Sequence, residues 1–273
     1  MHIAVTSNNI EFVKLFTSYG ANVNAVNNNG FTPLYFAVKL GNSKCAILLI
    51  KKGAQIDAVD KQGNTALHTA AESGHAKCAE SLIERGANLN AVNNNGLTPL
   101  HTAVKNDHPN CVESLIKKGA NIESVSSNGG TPLHVAAAEN FVKCASLLIQ
   151  NGANIDAVTV NGDTPLHVAA AANSIQCALL FIDNKAKVDA VTKNGDTPLH
   201  AAAQNGKTRC CEMLIENGAN INSVNIDGNT PMHVAALADK YEVTWMLRVK
   251  GAVQNIQNKQ GKTFQDIMLR NTP

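Results

Sequence analysis

The strongest constraint on this chain is a period. Thr32-Pro33-Leu34 returns as Thr65-Ala66-Leu67, Thr98-Pro99-Leu100, Thr131-Pro132-Leu133, Thr164-Pro165-Leu166, Thr197-Pro198-Leu199 and Thr230-Pro231-Met232. Every step is 33 residues, without an insertion or deletion. A decayed copy starts at Thr263, and at the other end His2-Ile3-Ala4 aligns with Tyr35-Phe36-Ala37, so the first copy lacks its opening turn and its Thr-Pro. A period of this length describes an array of small units, none able to bury its apolar face without a neighbour.

The local chemistry of one unit, residues 93–125, predicts turn, helix, turn, helix. Asn95-Gly96 is a tight-turn pair, because both residues tolerate positive φ. Thr98 suits an N-cap and Pro99 the first helical position. Leu100, Ala103 and Val104 give a short helix one apolar face, and Asp107-His108-Pro109 breaks it. Cys111, Val112, Leu115 and Ile116 form the stripe of a second helix, which Gly119 ends. Neither helix is long enough to be stable alone.

Thr-Pro-Leu-His-x-Ala at this spacing, with a closing Gly-Ala-Asn-Ile-Asn as in residues 218–222, resembles the ankyrin repeat. The resemblance spans essentially the whole chain. It implies an all-α repeat solenoid of stacked helix-turn-helix ankyrin repeats with short β-hairpin loops. The expected organisation is a single domain over residues 1–273, with a truncated first repeat at 1–29, seven full repeats at 30–262 and a C-terminal capping helix at 263–273. The family geometry implies an L-shaped stack in which hairpin fingers project on one side and the first helices line a concave face. The family's role is protein–protein binding, and its motif imidazole ties neighbouring turns together.

Composition excludes several other classes. A formal charge of +2 is too close to neutral to make nucleic acid the default partner, and an aromatic content of 4% offers no stacking platform for RNA. No run of 18 apolar residues occurs, and Met1-His2-Ile3-Ala4-Val5 has no basic segment leading into an apolar one, so neither a membrane span nor a signal peptide of that kind is expected. The expected setting is cytoplasmic, with export by a dedicated machine left open. The chain is expected to be monomeric by itself, with another protein as partner.

Residue types that suggest chemistry fall on the period. Cys45, Cys78, Cys111, Cys144, Cys177 and Cys210 share one place in the second helix, where Phe12 and Val243 stand in the flanking units. A place that accepts Cys, Phe or Val is an apolar core position. Cys211 is off this ladder. With no Cys-x-x-Cys pair, no metal site and no cofactor are expected. His2, His68, His101, His134, His167, His200 and His233 all take the motif place, so they read as structural rather than catalytic, and Tyr35 in that place either weakens the tie or supplies its hydroxyl. Asp57, Asp156 and Asp189 alternate with Asn24, Asn90 and Asn222 at one place, which argues against acid–base chemistry. Gly206-Lys207-Thr208 and Gly261-Lys262-Thr263 lack the first glycine of a phosphate-binding loop, Ala201 and Ile256 standing there instead. The chain is not expected to be an enzyme.

Comparing units within the chain separates frame from surface. The variable places are the finger and the end of the first helix. They carry Phe31, Lys61, Leu97, Val160, Asp163, Asp196 and Ile226 on fingers, and Lys39, Leu40, Lys105 and Leu237 on first helices. By the family geometry these line one groove, and they are the candidate partner-binding residues, with Phe31, Leu40 and Leu97 as apolar anchors. Val26, Val59, Val92, Val125, Val158, Val191 and Val224 recur just before the finger tip, as framework or as a groove floor. At the C-terminal end Arg248, Gln254, Asp266 and Arg270 bring polarity where no further unit would cover them, while Ile3, Val5 and Phe12 keep the N-terminal end apolar. The function expected is an interaction scaffold, whether adaptor, inhibitor or effector. The alternative is a targeting fragment of a larger protein whose catalytic domain lies elsewhere.

Overall fold

A computed structural model describes residues 1–269. Arg270 and the rest of the expected 263–273 segment beyond Leu269 lie outside the described residues. The described residues form helices and turns without a strand, and they cluster into two compact units. The first comprises Met1–Ser127 with Gln150–Gly152, and the second Asn128–Ile149 with Ala153 onward.

In the first unit the helices are α1 (His2–Thr6), α2 (Ile10–Ser18), α3 (Pro33–Lys39), α4 (Ser43–Lys51), α5 (Ala66–Glu72), α6 (Ala76–Ile83), α7 (Pro99–Lys105) and α8 (Pro109–Lys117). The second holds α9 (Pro132–Glu139), α10 (Val142–Gln150), α11 (Pro165–Ala172), α12 (Ile175–Asp183), α13 (Pro198–Gln204), α14 (Thr208–Glu216), α15 (Pro231–Leu237), α16 (Tyr241–Val249) and α17 (Phe264–Met268). In the first unit α1, α3, α5 and α7 pack side by side as one row, with α2, α4, α6 and α8 as the other. The second unit repeats this arrangement and closes on α17, which packs against α15.

The predicted start and stop signals act where expected. The Thr98 hydroxyl accepts the His101 N–H, Pro99 opens α7, Pro109 opens α8, and Gly119 follows at φ 93°. Asp107 adopts φ 50° in the turn between the two helices, a conformation that Asp tolerates better than most residues. Leu100 and Leu115 are fully buried, as are their counterparts Leu67, Leu82, Leu166, Leu199 and Leu214. Each such burial contributes about 1.5–3 kcal/mol, which offsets the cost of ordering helices too short to persist alone. Ala70, Ala103, Ala169 and Ala202, with no exposed surface, allow the first helices to approach closely.

Each finger is a tight turn rather than a ladder. The Asn93 N–H donates to the Leu97 carbonyl, and the Asn93 side-chain oxygen takes the N–H groups of Asn95 and Leu97. Successive fingers are joined through the main chain, Asn94 N–H to Gln62 O at 3.0 Å and Lys193 N–H to Asn161 O at 3.0 Å. Glycine is required at the bend. A Cβ on Gly96 would lie 2.7 Å from Ser127 N, and one on Gly162 would lie 2.8 Å from Lys193 N.

The motif histidines from His68 onward are buried. His68 Nδ1 receives the Thr65 N–H at 3.2 Å, and its Nε2–H donates to the Leu97 carbonyl at 2.9 Å. His167 does the same between Thr164 and Asp196, and His233 between Thr230 and Lys262. A carbonyl can only accept, so Nε2 carries the proton and Nδ1 is the acceptor. His75 and His108 make a second set of ties, reaching back to the carbonyls of Lys39 and Glu72.

Burial holds the His68, His167, His200 and His233 imidazoles below the usual 6.5. Over the interval between the folded and unfolded values the unfolded chain binds more protons, so stability rises with pH there. The histidine contribution is complete above 6.5 and is lost as pH falls through the depressed folded values. The urea midpoint should therefore drop between about pH 7.5 and about pH 5. An unchanged midpoint would contradict the neutral bridge.

The six ladder cysteines and Cys211 are buried and free. Burial raises the thiol pKa of Cys45, Cys78 and Cys211, and raises it to about 11 at Cys111 and about 12 at Cys177 and Cys210. A native thiol titration should label few of them, and urea should release all seven. Rapid labelling without denaturant would overturn the core assignment.

Candidate functional site

The first helices and the fingers enclose recesses in each unit. In the first unit, Leu97 and Lys105 share a recess of about 250 Å³ with Gln62, His68, Glu72 and Thr102. In the second, Asp163 and Asp196 line a recess of about 370 Å³ with Lys193, Asn194 and Gln204. A neighbouring apolar pocket there is bounded by Asp163, Val168, Ala171, Ala172 and Ala201. The candidates Leu97, Lys105, Asp163 and Asp196 are thus brought together in pairs.

Several of these residues are less free than the variable register suggested. Phe31 is half-buried, stacked on Tyr35 at 3.9 Å and 5° and set edge-on to Phe36 at 5.9 Å. Its ring is thus shared between the surface and the packing of α3. The Tyr35 hydroxyl accepts from Lys39 Nζ at 3.1 Å, so it serves a lysine of its own helix rather than copying the histidine bridge. That hydrogen bond holds the Lys39 ammonium above its usual value, with Glu72 adding attraction. Asp196 Oδ1 takes the Asn225 side-chain N–H at 2.8 Å, and Asp163 Oδ2 takes the Thr159 hydroxyl at 3.1 Å, so each carboxylate spends one oxygen on a finger.

The remaining candidates are open. Lys61, Val160 and Ile226 stand exposed at finger tips, while the main-chain N–H groups of Val160 and Ile226 are tied to the preceding finger. Leu40 and Leu237 are exposed at the ends of α3 and α15. The valine series is exposed throughout, from 54% at Val224 to 63% at Val26, which rules out a packed framework role. Glu72, Gln204, Lys193 and Val168 were missed among the lining residues. Glu72 and Gln204 lie in the Lys39–Lys105 register and Lys193 in the Lys61 register, so the period itself held the signal.

The Asp and Asn side chains that alternate at one place do one job. The Asp57, Asn90 and Asn222 oxygens each accept a main-chain N–H 31 residues on, from Asn88, Asn121 and Val253. A carboxamide oxygen serves as well as a carboxylate.

A family model described as ankyrin repeats (3 copies) matches four times, over residues 1–60, 56–126, 123–192 and 178–259. The chain belongs to the ankyrin-repeat family. It is similar to the human ASB11 ankyrin repeat domain, at 30% identity over 82% of this chain and 99% of that one, with a TM-score of 0.73. It is also similar to the ankyrin repeat domain of Bcl-3, described as a unique member of the IkappaB protein family, at 32% identity over 78% and 96% of the two chains and a TM-score of 0.69. A search of curated protein sequences gives no match. Ankyrin-repeat domains are interaction modules without catalytic machinery of their own, and no described helix is long and apolar enough to cross a membrane.

Phe31→Ser should lower stability by about 1–2 kcal/mol through loss of the stack and of buried area. A urea midpoint equal to that of the parent would return Phe31 to the set of free surface residues.

Proposed function

We propose that this ankyrin-repeat chain binds another protein through the recesses between fingers and first helices, and that variable side chains at fixed places set the choice of partner. The observation that carries the reading is the pairing of Leu97 with Lys105 in one recess, an apolar side chain beside a cation above a floor of tied main chain. In the second unit, Asp163, Asp196 and Lys193 ring a recess next to the alanine-lined pocket. Both recesses mix charge with apolar surface and suit protein segments that present the same mixture. A nucleic-acid backbone would meet carboxylates in the second. Seven free thiols fit a reducing, intracellular workplace.

A pull-down with mass spectrometry supplies the partner, and calorimetry then compares variants. Leu97→Ser combined with Lys105→Glu should weaken binding tenfold or more, about 2 kcal/mol for a lost anchor, with little change in melting. Glu113→Ser, which breaks the exposed pair with Lys117 on α8, should bind like the parent. Full affinity in the double variant, with loss in the Glu113 variant, would move the site to the second helices.

A further inference from the structure

Two carboxylates in the second unit carry a charge that the frame does not need. Asp163 and Asp196 stand just before the cap threonine of a first helix, in the register of Asn64 and Asn229. One oxygen suffices in that register. Asn64 Oδ1 takes the Asn93 side-chain N–H at 2.9 Å and Asn229 Oδ1 that of Asn258 at 2.8 Å, as Asp196 Oδ1 takes that of Asn225. Asp163 likewise uses only Oδ2, for the Thr159 hydroxyl. Asp163 Oδ1 and Asp196 Oδ2 are left over, and neither carboxylate has an ion pair among the described residues. Both residues are half-buried, where an uncompensated charge costs more than it does in open solvent.

The two carboxylates share a groove. Their recess runs into the apolar pocket of about 430 Å³ over Val168, Ala171 and Ala172, and Asp163, His167 and Ala201 line both. Both carboxylates lie close enough to the His167 ring to favour its charged form. That ring is itself consumed by its bridge from Thr164 to Asp196 and has nothing to offer a ligand. Lys193 at the rim is exposed and pairs with neither carboxylate. The groove therefore presents an apolar bed beside two unused carboxylate oxygens. In the first unit the register of Ala171 holds Lys39, Glu72 and Lys105, so the bed belongs to the second unit.

We propose that this groove binds a protein segment through an arginine side chain, with the guanidinium between Asp163 and Asp196 and the methylene stem on the alanine bed. A guanidinium is a planar fork whose separate N–H groups can serve two acceptors at once. Its stem is apolar and covers apolar surface while the charged head stays at the polar wall. Charge and shape are both matched, because the side chain brings the missing cation and fills the pocket beside it. The proposal rests on the recesses being the partner surface, and it names the chemistry that one of them selects.

A random peptide library displayed on phage and panned against the full chain tests it, with the enriched peptides then synthesised and titrated by fluorescence anisotropy. The expected peptides carry arginine. Replacing that arginine with neutral citrulline, or using the Asp163→Asn and Asp196→Asn double variant, should each weaken binding about tenfold or more. The two changes together should cost little more than either alone, since they remove the same contact. Asparagine keeps the oxygen that the finger bonds use, as Asn64 and Asn229 show, so the melting curve should not move. If the double variant fails to fold, Asp196→Asn alone decides. Peptides that bind equally well to the folded Asp variants overturn the proposal, as does a panning that enriches none. If such peptides weaken instead with Leu97→Ser and Lys105→Glu, the recess reading stands without this groove, and if they ignore both sets of changes, both readings fall.

Discussion

The fingers that carry Leu97, Asp196, Asn229 and Lys262 are each held by an imidazole that must be uncharged. Nδ1 accepts the N–H of the threonine that starts its helix, and Nε2–H donates to a carbonyl 29 residues on, as in the His68–Leu97 and His200–Asn229 bonds. One ring thereby sets both the start of a helix and the height of the next finger. A proton on Nδ1 would turn an acceptor into a donor facing a donor, and burial would penalise the charge by more than the nearby carboxylates favour it. The two departures from histidine obey the same logic. Asp266 caps Thr263 with its Oδ2, taking both the N–H and the hydroxyl, but has no proton to offer onward, which suits the last helix of the second unit. Tyr35 keeps the bulk and exchanges the bridge for stacking on Phe31.

That bridge explains why so much chemistry-like sequence is inert. Seven histidines, a ladder of cysteines and a row of alternating Asp and Asn are all consumed by the joint between one repeat and the next. Asp57 and Asn90 do the same work because the partner is a main-chain N–H that reads only the oxygen. The cysteines sit where a repeat touches the main chain before it, and there a small apolar atom is what fits. The carboxylates and thiols of this chain therefore say little about activity and much about spacing.

The fold was legible because its determinants are local and periodic. Turn, cap, apolar stripe and left-handed glycine recur in each unit, and Thr98, Pro99, Pro109 and Gly119 act where their chemistry places them. The site was legible only in part. Variability marks residues outside the frame, but it does not distinguish a side chain in solvent from one that has found a private contact. Phe31 stacks on Tyr35 because the histidine is missing in that one repeat, and Asp196 is held because Asn225 follows it by 29 residues. The first contact is confined to one repeat, whereas the second belongs to a register that recurs between fingers as Asn93–Asn64 and Asn258–Asn229, and a comparison of residue types does not reveal it. The valine series shows the converse. Its constancy was compatible with framework or groove floor, yet its side chains lie open, so constancy across repeats does not by itself mark burial.

The division between a fixed joint and a free surface also limits how specificity can be written into such a chain. The N–H of Val160 and that of Ile226 are locked to the finger before, so the backbone at the tip cannot adjust to a partner. Only the side chains at the tip and at the end of the first helix can vary without disturbing the bridge. In the proposed reading, recognition is assembled from single side chains at a fixed pitch. The ordering cost of the fingers is met during folding, so modest contacts at each recess sum without a further entropic cost in the main chain.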